Sequence, residues 1–479
     1  MLFNSIEFLL FLAIVLVAYY KFDHRNQNFW LLLSSYVFYG WWDWRFLLLI
    51  FSSTAVDYIV SNTLENTKSS KRRKNLLFYS IVFNLGLLAS FKYFNFFIDS
   101  FIDLGTLIGL NLDTPALRLL PPVGISFYTF QTMSYTIEVY RRKSRPEKNF
   151  FAFALFVSYF PQLVAGPIER ANRLLPQLNK KRTIQVDDIK SGLLLILIGL
   201  FKKVAIADTA GMQVDTIYNN PAQQSSLTLL TAAILFMLQI YGDFSGYSNM
   251  ARGISRLLGI HLIENFKTPY FSKNISEFWK RWHISLSQWL RDYLYIPLGG
   301  NKRSNGATRR NLMITMLLGG LWHGAAWTFV IWGFINGLYL VIHRIWSQQL
   351  EKARERGQLD RLTGTLWLRT VNHLLSIAIT MIAVMVAFVF FRADSLTHAW
   401  QILYGIVDVR GPFNIGDALL PCLLALLLTP IEIIQYRNND RLLALRDLPL
   451  TLRSLIYSGM CLSLILASQH DRPFIYFQF

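Results

Sequence analysis

The chain lacks most of what a soluble or secreted fold uses. Its only two cysteines, Cys422 and Cys461, both lie inside apolar segments. They support neither a disulfide framework nor a cysteine-based metal site, and they leave the redox compartment undetermined. Acids are scarce too, with 29 Asp and Glu against 47 Lys and Arg and a formal net charge of +18. Such a balance serves nucleic acid, anionic lipid or membrane topology, and no module that reads DNA or RNA is recognisable. No histidine–glutamate motif has zinc spacing, so no metal is expected. GISFY (Gly124 to Tyr128) and GDFSG (Gly242 to Gly246) both fall short of a full G-x-S-x-G elbow, which argues against a serine hydrolase. Internal repeats, low-complexity linkers and an obvious soluble domain are missing as well. The apolar run Ile6 to Tyr20 has no basic region before it and Lys21 and Arg25 after it. It reads as a retained first span with its N-terminus outside, not as a cleaved signal peptide.

What is present is apolar: 53% of the 479 residues are hydrophobic and 15% aromatic, in long runs from end to end. Lipid is the solvent that suits such a chain. The expected fold is an all-α polytopic membrane protein of about ten to twelve spans. It forms a single domain over 1–479, with core motifs at about 121–345 and further C-terminal spans at about 372–468. Basic residues cluster in short loops between apolar runs, the pattern of cytoplasmic loops. KSSKRRK (Lys68 to Lys74) and RRKSRPEK (Arg141 to Lys148) are the two strongest, and a segment with Asp99, Asp103 and Asp113 lies between them on the other side. The spans in this half are Phe29 to Trp42, Arg45 to Ser61, Asn75 to Phe97 and Pro122 to Tyr140.

Phe150 to Gly166 has basic residues on both flanks and is broken by Pro161 and the Gly166-Pro167 pair. A re-entrant segment inside a protein-enclosed cavity fits it better than a clean span. Ser191 to Gly211 and Ser226 to Ser248 follow, and then Asn249 to Arg310, a basic and aromatic stretch expected to be cytoplasmic or re-entrant. Asn311 to Trp346 has cytoplasmic flanks at both ends, which implies a hairpin dipping into the membrane. The last spans fall near Asn372 to Phe391, Ala418 to Gln435 and Leu455 to Ser468.

Two stretches carry candidate chemistry. FWKRWHISLSQWLRDYLYIPLGGNKR (Phe278 to Arg303) packs His283 among Trp279, Lys280, Arg281, Trp282, Trp289 and Arg291. Its bland reading is an amphipathic helix at the lipid headgroups. Its functional reading is a cytoplasm-facing mouth where cations and aromatic rings grip a phosphate-rich, adenine-bearing donor such as a coenzyme A thioester. LLGGLWHGAAWTFVIWG (Leu317 to Gly333) sets His323 between Trp322 and Gly324 inside a strongly apolar run. An intramembrane imidazole either faces a functional cavity or is satisfied by a neighbouring carbonyl. Acyl transfer from a thioester to a hydroxyl needs a base near neutral pKa, a role open to His323, with His283 orienting the donor or sharing the proton. Gly319, Gly320 and Gly324 allow close backbone approach there. Lys202 and Lys203 fall mid-span and are expected to face a wet cavity or snorkel, with Asp243 as their partner or as part of the donor path. His261, His343 and His373 read as surface or interface residues.

As a set, six strings resemble the membrane-bound O-acyltransferase (MBOAT) family, in its bacterial branch of alginate O-acetylases and peptidoglycan-acetylating relatives. They are MLFNSIEFLLFL at the start, PPVGISFYTFQTMSY from Pro121, FPQLVAGPIERANRLLPQL from Phe160, GLFKKVAIAD from Gly199, FWKRWHISLSQWLRDYLYIPLGG from Phe278 and LLGGLWHGAAW from Leu317. The resemblance implies a helical body with a central tunnel and His323, in its WHG context, as the catalytic residue. His283 matches the second characteristic polar position, and Asn249 and Asn336 depart from the pattern. Also implied are acetyl-CoA as donor with no bound cofactor, a polysaccharide acceptor outside the cell, and a separate periplasmic or membrane-anchored acetyltransferase partner. The implied setting is multi-pass among the lipids of a bacterial inner membrane. The alternatives are D-alanyl transfer to teichoic acid from a carrier protein and, from another class, a transporter, against which the lack of an inverted repeat counts.

Overall fold

The computed structural model describes residues 1–110, 112, 118–356, 366–409, 411, 415–467, 472, 474 and 475. Asp113 and Ser468, named in two of the expected segments, lie outside them. Among the described residues the structure is helical, with no strand, as expected from the apolar runs. Seven helices among the described residues are long and apolar enough to cross a membrane. Helix Ile6–Lys21, with 16 residues, is shorter than these. The chain folds as two compact units, one built from the described residues of 1–200 and 247–263 with 474 and 475, the other from the described residues of 201–246 and 264–472.

The first unit contains α1 (Ile6–Lys21), α2 (His24–Gly40), α3 (Phe46–Asn66), α4 (Ser70–Leu88), α5 (Phe94–Leu107), α6 (Ile125–Tyr140), α7 (Phe150–Ser158), α8 (Phe160–Leu163), α9 (Ala171–Asn179) and α10 (Val186–Leu200). Their starts follow local chemistry. Ser5, Asp23, Ser69 and Asn149 each accept a hydrogen bond from a first-turn backbone N–H of α1, α2, α4 and α7 respectively. The cap at Ser69 draws most of KSSKRRK into the first turns of α4, where a loop was expected. A π-helical turn at Ala89–Tyr93 joins α4 to α5, so the helix continues to Leu107, well past the expected end at Phe97. The expected re-entrant segment is a broken helix. Tyr159 (φ −50°, ψ 107°) interrupts it, Pro161 sits in the first turn of α8, and Phe153, Phe156, Tyr159 and Phe160 are fully buried. Burial on all sides fits a segment enclosed by protein and not bathed in lipid.

The second unit opens with a π-helical stretch, Phe201–Asp208, followed by α11 (Thr209–Tyr218) and α12 (Ser226–Leu257), whose last turns belong to the first unit. It continues with α13 (Ile275–Arg281), α14 (Ile284–Leu290), α15 (Asn305–His323), α16 (Trp327–Glu355), α17 (Leu366–Arg392), α18 (Leu396–Val407), α19 (Ile415–Arg437) and α20 (Leu450–Ala467). The expected hairpin is α15 and α16. They touch backbone to backbone: a Cβ on Gly320 would come within 2.3 Å of the Phe329 carbonyl oxygen, and one on Gly333 within 2.5 Å of the Met316 carbonyl oxygen. Helix α18 had no counterpart in the expected spans.

The π turn decides the fate of the mid-span lysines. Its geometry sets residues five apart beside each other, and Lys203 Nζ lies 2.7 Å from Asp208 Oδ1 and 2.9 Å from Asp243 Oδ1. Lys202 Nζ lies 2.6 Å from Glu432 Oε1, and the Tyr241 hydroxyl donates to Glu432 at 2.7–2.8 Å. These side chains are at most 7% exposed. Neither lysine snorkels or faces water. Their charges are neutralised inside the protein, with Asp243 paired to Lys203.

Candidate active site

Helix α13 starts where Asn274 accepts from the Glu277 N–H at 2.9 Å, and it ends at Trp282, which is extended (φ −101°, ψ 129°). His283 then adopts the left-handed region, φ 41° and ψ 55°, before α14 resumes the chain. The segment is therefore not one continuous amphipathic helix. His283 is fully buried and Trp282 and Trp289 are 2% and 6% exposed, so its aromatic face meets protein, which removes the headgroup reading. The His283 ring meets the edge of Phe244 at 4.6 Å between centroids, Trp322 at 5.8 Å and His323 at 6.3 Å. His283 lies outside the membrane-spanning helices, and burial pushes its ring down to about 3, which keeps it neutral at ordinary pH.

His323 is the last residue of α15. Its neighbour Gly324 runs extended, and a Cβ there would fall 2.0 Å from the Phe329 ring, so only glycine fits the turn. Trp322, Trp332 and Phe391 surround the His323 ring with centroids at 5.0, 4.9 and 5.3 Å. The ring also lines a cavity of about 450 Å³. Leu286, Leu290, Leu312, Met316 and Leu340 make its walls apolar, and Lys280 and Arg291 line it as cations. An apolar cleft with a few convergent polar groups is the usual form of a small-molecule site.

Of the residues singled out from sequence, His323, Lys280, Arg291, Trp279 and Gly319 share this cavity, and His283 joins them through its contact with the His323 ring. Arg291 is also paired with Asp292 at 2.9 Å. The rest lie elsewhere. Arg281 binds Glu277 at 3.0 Å and Asp440 at 2.9 Å and lines no part of the cavity. Trp282 packs among Phe266, Phe278 and Phe388, and Trp289 lies tilted against Tyr293. Trp322 bridges the two imidazoles, and Asp243 is committed to Lys203. Asn336 donates to the Trp332 carbonyl oxygen of its own helix at 2.9 Å. Sequence reasoning missed Trp332 and Phe391, which have no local signature. It also missed Glu432, which had one: an acid two residues after Pro430 in an apolar run is as costly as the lysines that were noticed.

Fold and site together define a multi-pass membrane protein that holds two imidazoles beside an apolar cavity lined with cations. The profile of the membrane-bound O-acyltransferase family, MBOAT, matches residues 49–386, and the chain belongs to that family. It is similar to the probable alginate O-acetylase AlgI of Pseudomonas aeruginosa, at 41% identity over 424 residues, which cover 87% of this chain and 76% of that protein. It is similar also to the peptidoglycan O-acetyltransferase of Helicobacter pylori, at 34% over 443 residues covering 86% and 80%. The teichoic acid D-alanyltransferase of Streptococcus thermophilus is 30% identical over 353 residues, covering 68% and 83%. The chain is an O-acyltransferase of the membrane, and the transporter reading falls.

Proposed function

We propose that this protein takes an acetyl group from cytoplasmic acetyl-CoA and delivers it across a bacterial inner membrane for O-acetylation of a polysaccharide outside, either an alginate-like exopolysaccharide or peptidoglycan. The observation that carries the reading is a single cavity lined by Lys280, Arg291 and His323, in a chain about 40% identical to an alginate O-acetylase over most of its length. The two cations suit the phosphates of the donor, and the apolar walls suit its thioester arm. His323 takes the proton of the acceptor hydroxyl as its oxygen bonds the thioester carbonyl carbon. The C–S bond then breaks, and the proton passes to the departing thiolate. Neutral His283 orients the reacting groups beside it. A separate acetyltransferase, periplasmic or membrane-anchored, completes transfer to the polymer.

Purified protein in vesicles, given acetyl-CoA, tests the donor: release of free CoA that depends on His323 is expected. A second reading, D-alanyl transfer, is favoured by the 30% identity to a teichoic acid D-alanyltransferase. Turnover with a D-alanyl thioester on a carrier protein, and none with acetyl-CoA, would establish that reading instead.

A further inference from the structure

His283 occupies a backbone region that side chains other than glycine rarely adopt. Strain of this kind persists only where the surroundings over-determine it, and it gathers at functional sites. Here the surroundings are the segment Asn265 to Thr268, which runs antiparallel to Arg281 to Ser285. The Lys267 N–H donates to the Arg281 carbonyl oxygen at 2.9 Å, and the Ile284 N–H donates to the Asn265 carbonyl oxygen at 2.9 Å. Between these two bonds one side has a single residue, Phe266, and the other has two, Trp282 and His283. The extra residue forms a bulge, and bulges turn a side chain out of the direction that regular pairing would give it.

We propose that Asn265 is the positioning residue of the active site, locking the one-residue bulge that aims His283 at His323. Its side-chain oxygen accepts from the Ser285 N–H at 3.1 Å and from the Ser285 hydroxyl at 2.8 Å, immediately after the strained residue. Asn265 is 1% exposed, so these bonds lie in the protein interior. Phe266 seals the other side, its ring 5.1 Å from Trp282 and 5.0 Å from Phe244, which itself meets the His283 ring. Arg281 anchors the pairing, donating to the Lys267 carbonyl oxygen at 3.1 Å and to the Thr268 hydroxyl at 3.1 Å.

The inference rests on the proposed role of His283, and the test separates the two. Asn265→Leu keeps size and removes the acceptor, whereas Asn265→Asp keeps an acceptor oxygen at the same place. CoA release from acetyl-CoA in vesicles should show kcat falling on the order of 10- to 100-fold in Asn265→Leu, with KM for acetyl-CoA little changed, because misplacing a reacting group acts on turnover. Asn265→Asp should recover most of the loss. Equal loss in both variants, or full activity in folded Asn265→Leu, overturns the inference. If either variant fails to accumulate, Ser285→Ala, which strips one donor from the same oxygen, decides: lowered kcat at constant KM supports the lock, and unchanged kcat overturns it. His283→Ala run alongside distinguishes the failures. Retained activity there sinks the reading of the site, whereas lost activity there with full activity in Asn265→Leu sinks the lock alone.

Discussion

His283 and His323 present their rings 6.3 Å apart, centroid to centroid, with Trp322 packed against both. One imidazole closes the α15–α16 hairpin and the other forms the bulge between α13 and α14, and only His323 lines the cavity.

His323→Ala is expected to abolish acetyl transfer while leaving membrane abundance near that of the unchanged protein. A positioned general base contributes on the order of 100- to 10,000-fold, so comparing initial rates at equal expression is decisive. A loss of only a few fold would assign the ring to packing.

The Lys202–Glu432 pair should be intolerant of single substitutions and tolerant of a joint one. Lys202→Met leaves the Glu432 carboxylate buried beside the Tyr241 hydroxyl without its cation, and Glu432→Gln strands the ammonium. Removing one partner of a buried pair costs about 3–5 kcal/mol, while replacing both with neutral groups is often close to harmless. Membrane abundance and melting midpoint should fall in each single variant and return in Lys202→Met/Glu432→Gln. A double variant as unstable as the singles would refute the pairing.

Acid should destabilise the protein partly through His283. Its folded value of about 3 lies below the ordinary 6.5 because of burial, so between pH 6.5 and 3 the unfolded chain binds a proton that the folded chain refuses. The contribution is fully present above pH 6.5 and is lost as pH falls through that window. Glu169, outside the spanning helices, works in the opposite sense, since burial pushes its carboxyl up to about 7. The difference between the unchanged protein and His283→Asn isolates the histidine. Melting midpoints at pH 7 and pH 5 should converge more closely in the variant; an unchanged slope would contradict the assignment.

Both basic segments should face the cytoplasm. They already share one end of the first unit: Arg73 donates to the Tyr140 carbonyl oxygen at 2.7 Å, and Lys148 donates to Asn62 at 3.1 Å. Cysteines placed at Lys71 and Lys143 are expected to stay unreactive toward an impermeant reagent added to intact cells. Labelling of either from outside would reverse the topology.

Much of the fold was legible in the residues themselves. Apolar runs of about 20 residues require helices, because lipid offers the backbone no hydrogen bonds. Basic flanks marked the hairpin and the broken segment, and Pro161 marked the break itself. The two histidines stood out because an imidazole in apolar surroundings demands a reason. The helix ends were less legible: the cap at Ser69 and the π turn at Ala89–Tyr93 moved boundaries by several residues, and neither leaves a periodic trace.

What the sequence by itself determined was therefore the solvent, the element type and a short roster of polar residues that could not be idle. What only the tertiary structure decided was their pairing. Lys202 found Glu432 on a helix far along the chain, and Lys203 found Asp208 because a π turn shifts the register by one residue. Arg281, which by composition suited a phosphate, was taken by Asp440. Periodicity reports which face of a helix is apolar, whereas charge pairing and ring contacts depend on which helices meet and at what register. Those contacts are set by close packing between segments distant in sequence, so no window along the chain contains them.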